Sequence, residues 1–303
     1  MKGTHPHRRS KRQQGFSLIE LLVASAIGLI VTLGVLAVFV NSTGAGRMAE
    51  AQSRMNEDAQ VALNLLSLEI KMAGHNPVTS APNGLAIKNP LSPLTLHGCS
   101  GMFYFDATSV NDDKLRCESG VQNQAHALFV SYEADTKNTM PSAGIPTDCL
   151  GNKLTIKSGT YYVAENRYFV SASQVISAPS LYCKGNGGLG TAQPIVENIE
   201  DLQFSYGTMS TPNPVPKRIA GYLSATEVEK LAATSSKTDI ANAWAQVLTI
   251  QICIVVRSEA KNLVSDNASA IYTKCDGTLD TSQTDRRLRR AFTTTVALRN
   301  RLN

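Results

Sequence analysis

Hydrophobic and polar positions divide the chain into three stretches of different character. From Leu21 to Val40 no charged residue occurs. As a helix these 20 residues would span about 30 Å, the thickness of a bilayer's hydrocarbon core. Glu20 stands at the edge of this run. Next comes Asn41-Ser42-Thr43-Gly44-Ala45-Gly46, whose glycines and small polar residues weaken a helix. A flexible or partly melted segment is expected there. Beyond it, Met48, Gln52, Met55, Ala59, Ala62, Leu66, Ile70 and Ala73 recur at intervals of three and four, which predicts one face of an amphipathic helix. Glu50 and Arg54 are spaced as an i, i+4 pair on its polar side. Gly74 followed by Asn76-Pro77 is a stop signal. Unbroken from Phe16 to Ala73, 58 residues, the helix would be about 87 Å long.

From Pro77 onward the pattern changes. Residues 77–98 read as loop, with Pro77, Pro82, Pro90 and Pro93. Strand signals follow at Ala127–Tyr132, Thr160–Ala164, Arg167–Val170, Leu202–Tyr206, Val247–Val256 and Phe292–Leu298, all rich in β-branched and aromatic residues. Leu202, Phe204 and Tyr206 alternate with Gln203 and Ser205, as in a half-buried strand. One helix is predicted at Ala225–Ala233, where Ser224 and Glu227 fit a capping box. Lys184–Gly190 and Ser258–Ser269 read as loops, and no internal repeat is present. The expected class is α+β: one long N-terminal helix on a mainly antiparallel β-sheet head with long loops.

Composition excludes a disordered chain, with 43% hydrophobic and 17% charged residues in 303. The net charge of +5 points at nucleic acid only until it is located. Lys2, Arg8, Arg9, Lys11 and Arg12 lie in the first fifteen residues, which hold no acid. Without those five, 24 of the 29 basic residues remain to balance 24 acidic ones. Global charge therefore gives no case for a DNA or RNA partner. The basic run should stay cytoplasmic and place everything after Val40 across the membrane. The apolar run is longer than a secretory signal core, and Ala24-Ser25-Ala26 lie inside it, so it is expected to be retained.

The junction Gly15-Phe16-Ser17-Leu18-Ile19-Glu20 resembles the class III signal of type IV pilins and pseudopilins. That pattern is a basic leader, Gly, an aromatic or apolar first mature residue, and Glu at the fifth mature position. The resemblance implies that a prepilin peptidase cuts between Gly15 and Phe16 and then methylates the Phe16 amine. It also gives Glu20 a role. A carboxylate in hydrocarbon costs roughly 2.5–3.5 kcal/mol at a helix centre. The new amine of Phe16, one turn away, would neutralise it in the same chain or in a neighbouring subunit, setting register. The long helix resembles the pilin spine. Three further blocks resemble PilW-type minor pilins: Arg54–Gly74, Ile195–Gly207 and Arg290–Asn300. The implied layout is a cleaved leader at 1–15, a membrane helix at 16–40, an amphipathic spine at 41–76 and a β-rich head at 77–303.

Six cysteines, Cys99, Cys117, Cys149, Cys183, Cys253 and Cys275, lie on the translocated side, where disulfides form. Fifteen pairings are possible. Sequential pairing, Cys99–Cys117, Cys149–Cys183 and Cys253–Cys275, is expected because each closes a short loop. The rival is zinc, with His97 beside Cys99, but the spacings match no zinc pattern. Asn111-Asp112-Asp113 and Asp276–Asp280 lack the full acidic spacing of a calcium loop, and Asp276-Gly277 reads as a turn. Arg286, Arg287, Arg289, Arg290, Arg299 and Arg301 make a basic C-terminal end. It would serve DNA or an acidic partner, or simply be solvated charge flanking a final strand with Phe292, Val296 and Leu298 buried.

The family resemblance implies a minor pilin of the type IV pilus, in a membrane-primed initiation or tip complex. Its partners would be other minor pilins, the major pilin, the prepilin peptidase/methyltransferase, the inner-membrane assembly platform and membrane lipid. It would sit in the bacterial inner membrane, head in the periplasm, and then in the surface pilus. Ala24, Gly28 and Gly34 would let membrane helices approach closely. Two alternatives share these features: a type II secretion pseudopilin, and a DNA-uptake or adhesive pilin using the Arg-rich end. No phosphate loop, nucleophile elbow or metalloprotease motif occurs, and His5, His7, His75, His97 and His126 are scattered. Neither a cofactor nor enzymatic activity is expected.

Overall fold

The computed structural model describes residues 15–80, 85–103, 115–118, 125–157, 161–172, 178–188, 191–209 and 218–302. The leader, Pro82, Asn111–Asp113, Thr160 and the end of the 184–190 loop lie outside them. The chain forms two compact units, residues 1–50 and 51–303, which are described separately.

Helix α1 spans Leu18–Met72. In the first unit every residue from Leu18 to Val40 is exposed, and the helix is long and apolar enough to cross a membrane. Asn41–Gly46, expected to loosen, is helical. Each glycine costs about 0.8–1.0 kcal/mol relative to alanine. A break would instead forfeit several backbone hydrogen bonds and require a second helix nucleus. The Thr43 hydroxyl also stays within the helix, donating to the Val40 carbonyl at 2.9 Å.

The second unit opens with the remainder of α1. Met55, Ala59, Ala62, Leu66, Ile70 and Ala73 are each at most 4% exposed, so the predicted stripe faces the core. Gln52, assigned to the same stripe, is exposed: it lies before the helix enters the core. Three alanines let the helix approach the sheets closely, and burying Met55, Leu66 and Ile70 contributes about 1.5–3 kcal/mol apiece. The helix stops at Gly74, whose φ of 71° is the left-handed conformation that ends helices cheaply. Its last carbonyls are covered from far along the chain. Asn300 Nδ2 donates to the carbonyls of Lys71 and Ala73, at 3.1 and 3.2 Å.

Strands β1 (Val78–Ser80) and β2 (Ala86–Lys88) form a small ribbon inside the segment read as loop. Then come β3 (Leu96–Cys99), β4 (Ala127–Ala134), β5 (Ile156–Lys157), β6 (Tyr161–Ala172), β7 (Pro179–Lys184) and β8 (Gln193–Glu197). They build one antiparallel sheet in the order β3-β4-β6-β7-β8, with β5 beside β6. Strands β9 (Ile199–Met209), β10 (Ile219–Leu223), β11 (Val247–Arg257) and β14 (Arg289–Ala297) build a second, ordered β10-β9-β11-β14. A two-stranded ribbon, β12 (Tyr272–Thr273) with β13 (Leu279–Asp280), completes the described strands. Helices α2 (Ala225–Glu229), α3 (Lys237–Ala245) and α4 (Arg299–Leu302) lie in the second half.

A single sheet was expected and two are present. The divide falls at Asn198, whose φ of 63° turns the chain out of β8 and directly into β9. The helix predicted at Ala225–Ala233 stops at Glu229, although its Ser224–Glu227 capping box forms. Helix α3 has no counterpart in the periodicity reading. Its available signal is Ser236, whose Oγ accepts from the Asp239 N–H at 3.1 Å.

The core lies among the α1 stripe and both sheets. Leu128, Val130 and Tyr132 of β4 point into it, and Phe129, one residue out of phase, joins a second cluster with Phe103, Phe169 and Tyr182. Leu202, Phe204 and Tyr206 are at most 1% exposed, while Gln203 and Ser205 stay partly exposed, as their alternation predicts. Strand β6 runs through Glu165 and Asn166, where a break between two strands was read. Asn166 is tolerated because it is bonded on both sides. Its Nδ2 donates to Glu69 Oε2 at 2.9 Å, and its Oδ1 accepts from the Cys149 N–H at 3.2 Å.

Glu69 is a polar contact of the spine with the first sheet. Tyr132 OH also donates to its Oε1, at 3.4 Å. Burial pushes this carboxyl above its ordinary range, against the opposing hydrogen bonds from Asn166, Tyr168 and Tyr132. A native pKa above the unfolded one gives stability that is complete at low pH and lost as pH rises through the native value. We therefore expect the full-length chain in detergent to lose resistance to urea from about pH 4.5 upward. Glu69→Gln should lose less over the same range. Fluorescence of Trp244, the one tryptophan and fully buried, reports the transition. Parallel profiles for the two proteins would contradict this account.

Candidate functional site

In the first unit, Gly15, Phe16 and Ser17 are non-helical, and α1 begins at Leu18. Ser17 and Glu20 cap this start reciprocally. The Ser17 N–H donates to Glu20 Oε2 at 2.9 Å, and the Glu20 N–H donates to Ser17 Oγ at 3.3 Å. This is a capping box, and Ser-x-x-Glu was its legible signal. It holds the carboxylate at the positive end of the helix, where an acid is stabilised. The Gly15–Phe16 peptide is thereby left in open backbone, with Phe16 88% exposed. Further along, hydroxyls are turned inward: Ser25 donates to the Leu22 carbonyl and Thr32 to that of Gly28, at 2.9 and 2.7 Å. Apart from the chain neighbours and the helix's own backbone, no atom lies within 4 Å of where a side chain would stand on Gly28 or Gly34. The helix therefore presents an apolar surface with shallow places.

In the second unit the cysteines are joined as Cys99–Cys117, Cys149–Cys183 and Cys253–Cys275, with Cα separations of 5.4, 6.5 and 5.8 Å. Each closes a loop worth about 2–4 kcal/mol. The second fixes the loop before β5 to β7, and the third fixes the β12–β13 ribbon to β11. Buried Asp148, next to the second bridge, spends its oxygens on the backbone N–H groups of Leu150, Asn152 and Gly187, each at 2.9 Å.

The arginine-rich end is not a solvated flank. Arg287 and Arg289 are buried, at 8% and 9% exposure. Arg289 reaches Glu200 through Nε at 2.5 Å and Nη2 at 3.1 Å, and Asp285 through Nη1 and Nη2, both at 2.8 Å. Arg287 donates to the carbonyls of Ser258 and Glu259. Arg286 bonds Asn262 Oδ1 and the Ser265 carbonyl. Arg301 bonds the Trp244 carbonyl and Thr95 Oγ1. Only Arg290 and Arg299 of the six are exposed, too few for a phosphate track. The signals missed were Asp285, four residues before Arg289, and Glu200, which the fold brings to it. Val296 and Leu298 are buried as expected, and Phe292 only partly.

The remaining candidates are held by hydrogen bonds within the head. Asp276 accepts from Thr278 N and Oγ1, at 2.8 and 2.6 Å, around Gly277 with φ 82°, so the segment is a turn. His126 Nδ1 accepts from the Phe204 N–H at 3.0 Å, and burial lowers its pKa. His97 bonds Glu229 at 2.9 Å.

An open Gly-Phe junction, a capped apolar helix with one acid in its first turn and a disulfide-linked two-sheet head define a subunit of the type IV pilin class. Two family descriptions agree with this: residues 10–36 match the prokaryotic N-terminal methylation motif, and residues 160–300 match type IV pilus-assembly protein W. Together these matches support a type IV pilus minor pilin similar to the PilW family. It is also similar to the pilin-like protein PilA3 of Thermus thermophilus, 28% identical over 145 residues, which are 45% of this chain and 58% of that protein. The chain thus spans little more than half the length of this curated relative. No solved structure matches it.

Two outcomes follow from this geometry. Arg289→Met should cost about 1.5–3 kcal/mol in urea unfolding, because it removes charge-assisted bonds to two carboxylates and leaves Glu200 to Arg257 at 3.9 Å and Asp285 to Arg287 at 3.3 Å. Exposed Arg290→Met should cost about 1 kcal/mol or less, its cation–π contact with Phe292 included. Arg289 holds Asp285 down at about 2. The stability this confers is present above the ordinary carboxylate range and lost as pH falls toward that value, a loss Arg289→Met should reduce, the part due to Arg287 remaining. Ser17→Ala removes half of the capping box, worth about 0.5–2 kcal/mol. Amide exchange at Glu20 in micelles should speed up while that of the head is unchanged.

Proposed function

We propose that the chain is a structural, non-catalytic subunit that primes or caps the type IV pilus from the inner membrane. The observation that carries this reading is the exposed apolar surface of Leu18–Val40 with Glu20 alone in its first turn. Such a surface requires lipid or other helices around it. The basic leader keeps the N-terminus cytoplasmic and puts the head in the periplasm.

Processing begins at the open Gly15–Phe16 bond, which a prepilin peptidase cuts before methylating the new amine. In the precursor the Glu20 carboxylate is occupied by the Ser17 N–H. Cleavage creates a cation one residue before Ser17, and Glu20 exchanges a neutral donor for a charged one. Pairing with the amine of a neighbouring minor or major pilin then sets the axial register, while Ala24, Gly28 and Gly34 admit the neighbouring helix. The assembly platform draws this complex outward, head first. The internally paired arginines support a protein partner over DNA.

Intact-mass measurement of the protein from its native host tests processing. Loss of residues 1–15 and gain of one methyl group are expected. Glu20→Ala should leave the three disulfides and head stability unchanged while reducing recovery in sheared pili at least tenfold. Unchanged recovery, or a mature protein that keeps its leader, would sink the proposal.

A further inference from the structure

His97 and Cys99 are alternate residues of β3 and so project to the same side of the strand. Cys117 reaches them from the segment bridged to Phe103. One imidazole nitrogen and the two sulfurs lie within 4.8 Å of one another. His97 is 3% exposed. Its Nε2 is held by Glu229 Oε1 at 2.9 Å. Its Nδ1 is buried with no hydrogen-bond partner among the described residues, and leaving such an atom unpaired is costly. Trp244 and Phe103 wall the ring, with centroids at 5.1 and 6.0 Å.

Metal-bound imidazoles have this construction: one nitrogen donates to a carboxylate that fixes the tautomer, and the other offers its lone pair. With the proton on Nε2 toward Glu229, the Nδ1 lone pair is the one left without a partner among the described residues. Two thiolates and one imidazole are a ligand set suited to zinc. In the disulfide, the sulfurs are spent on each other. As synthesised, they are thiols.

We propose that the reduced head binds one Zn²⁺ through Cys99 Sγ, Cys117 Sγ and His97 Nδ1, with Glu229 supporting the imidazole, and that closing the Cys99–Cys117 disulfide expels the metal. Binding releases one proton from each thiol. On oxidation the two thiolates give two electrons to an acceptor disulfide of the thiol–disulfide exchange class. That acceptor takes up two protons and leaves as a dithiol. The S–S bond forms, both Zn–S bonds break and the ion departs hydrated. Metal and disulfide use the same atoms and exclude each other, so the metal pins Cys117 to β3 only until the oxidant arrives.

The full-length chain in detergent, reduced with a phosphine and mixed with Zn²⁺, is freed of loose metal by gel filtration and assayed for zinc by atomic emission. Co²⁺ serves as an optical probe of thiolate ligation. Reduced wild type and Cys253→Ser/Cys275→Ser should each retain one zinc per chain. The oxidised protein and Cys99→Ser/Cys117→Ser should retain none. Glu229→Gln, at a partly exposed position that does not threaten folding, should bind about 10–100-fold more weakly. Failure of reduced wild type to hold zinc overturns the proposal. So does retention by the oxidised chain or by Cys99→Ser/Cys117→Ser, equal loss from Cys253→Ser/Cys275→Ser, or wild-type affinity in Glu229→Gln.

Discussion

The burial of one helical stripe, Met55 to Ala73, is the interaction on which the head depends. Residues of both sheets pack against it. The sheets come from a chain that turns abruptly at Asn198, so they share few backbone hydrogen bonds and need a common apolar partner. Small residues at Ala59, Ala62 and Ala73 set the distance of approach, and Leu66 and Ile70 fill the space that remains. Close packing of this kind tolerates little change in volume. The same helix, earlier in the chain, carries apolar residues on every side, because there its surroundings are lipid or other helices rather than a folded core.

Much of this was legible in the sequence because it depends on local periodicity. The stripe at spacings of three and four, the Gly74 stop, the alternation through Leu202–Tyr206 and the Ser224–Glu227 box all follow from neighbours within a turn or two. What escaped depends on long-range partners. Glu165 and Asn166 read as an interruption because their partners are distant in sequence, Asn166 meeting Glu69 across 97 residues. The arginines near the C-terminus read as a solvated run because Glu200 and the carbonyls of Ser258 and Trp244 reach Arg289, Arg287 and Arg301 only through the fold. The loosened segment at Asn41–Gly46 was predicted from propensity alone, and helix cooperativity outweighs it. At the N-terminus the Gly-Phe junction and Glu20 were plain, whereas the role of Ser17 needed the geometry of the helix start.

A pattern emerges in how the head uses its polar groups. Asp148, Glu69, Arg287, Arg289 and Arg301 all bond to the head itself. Each removes a charge from the set that could meet a partner, and each fixes a junction between elements.

One detail beyond the second sheet's third strand ties distant segments together. Asn300 seals the carbonyls that end the spine, and β14 pairs along nearly its full length with β11, a central strand of its sheet. The cap of the spine and the border of the second sheet are thus supplied by one short stretch, residues 289–300, far along the chain from the helix they close. Without that stretch the spine lacks its lid and the second sheet its border. A change there would loosen two distant places at once.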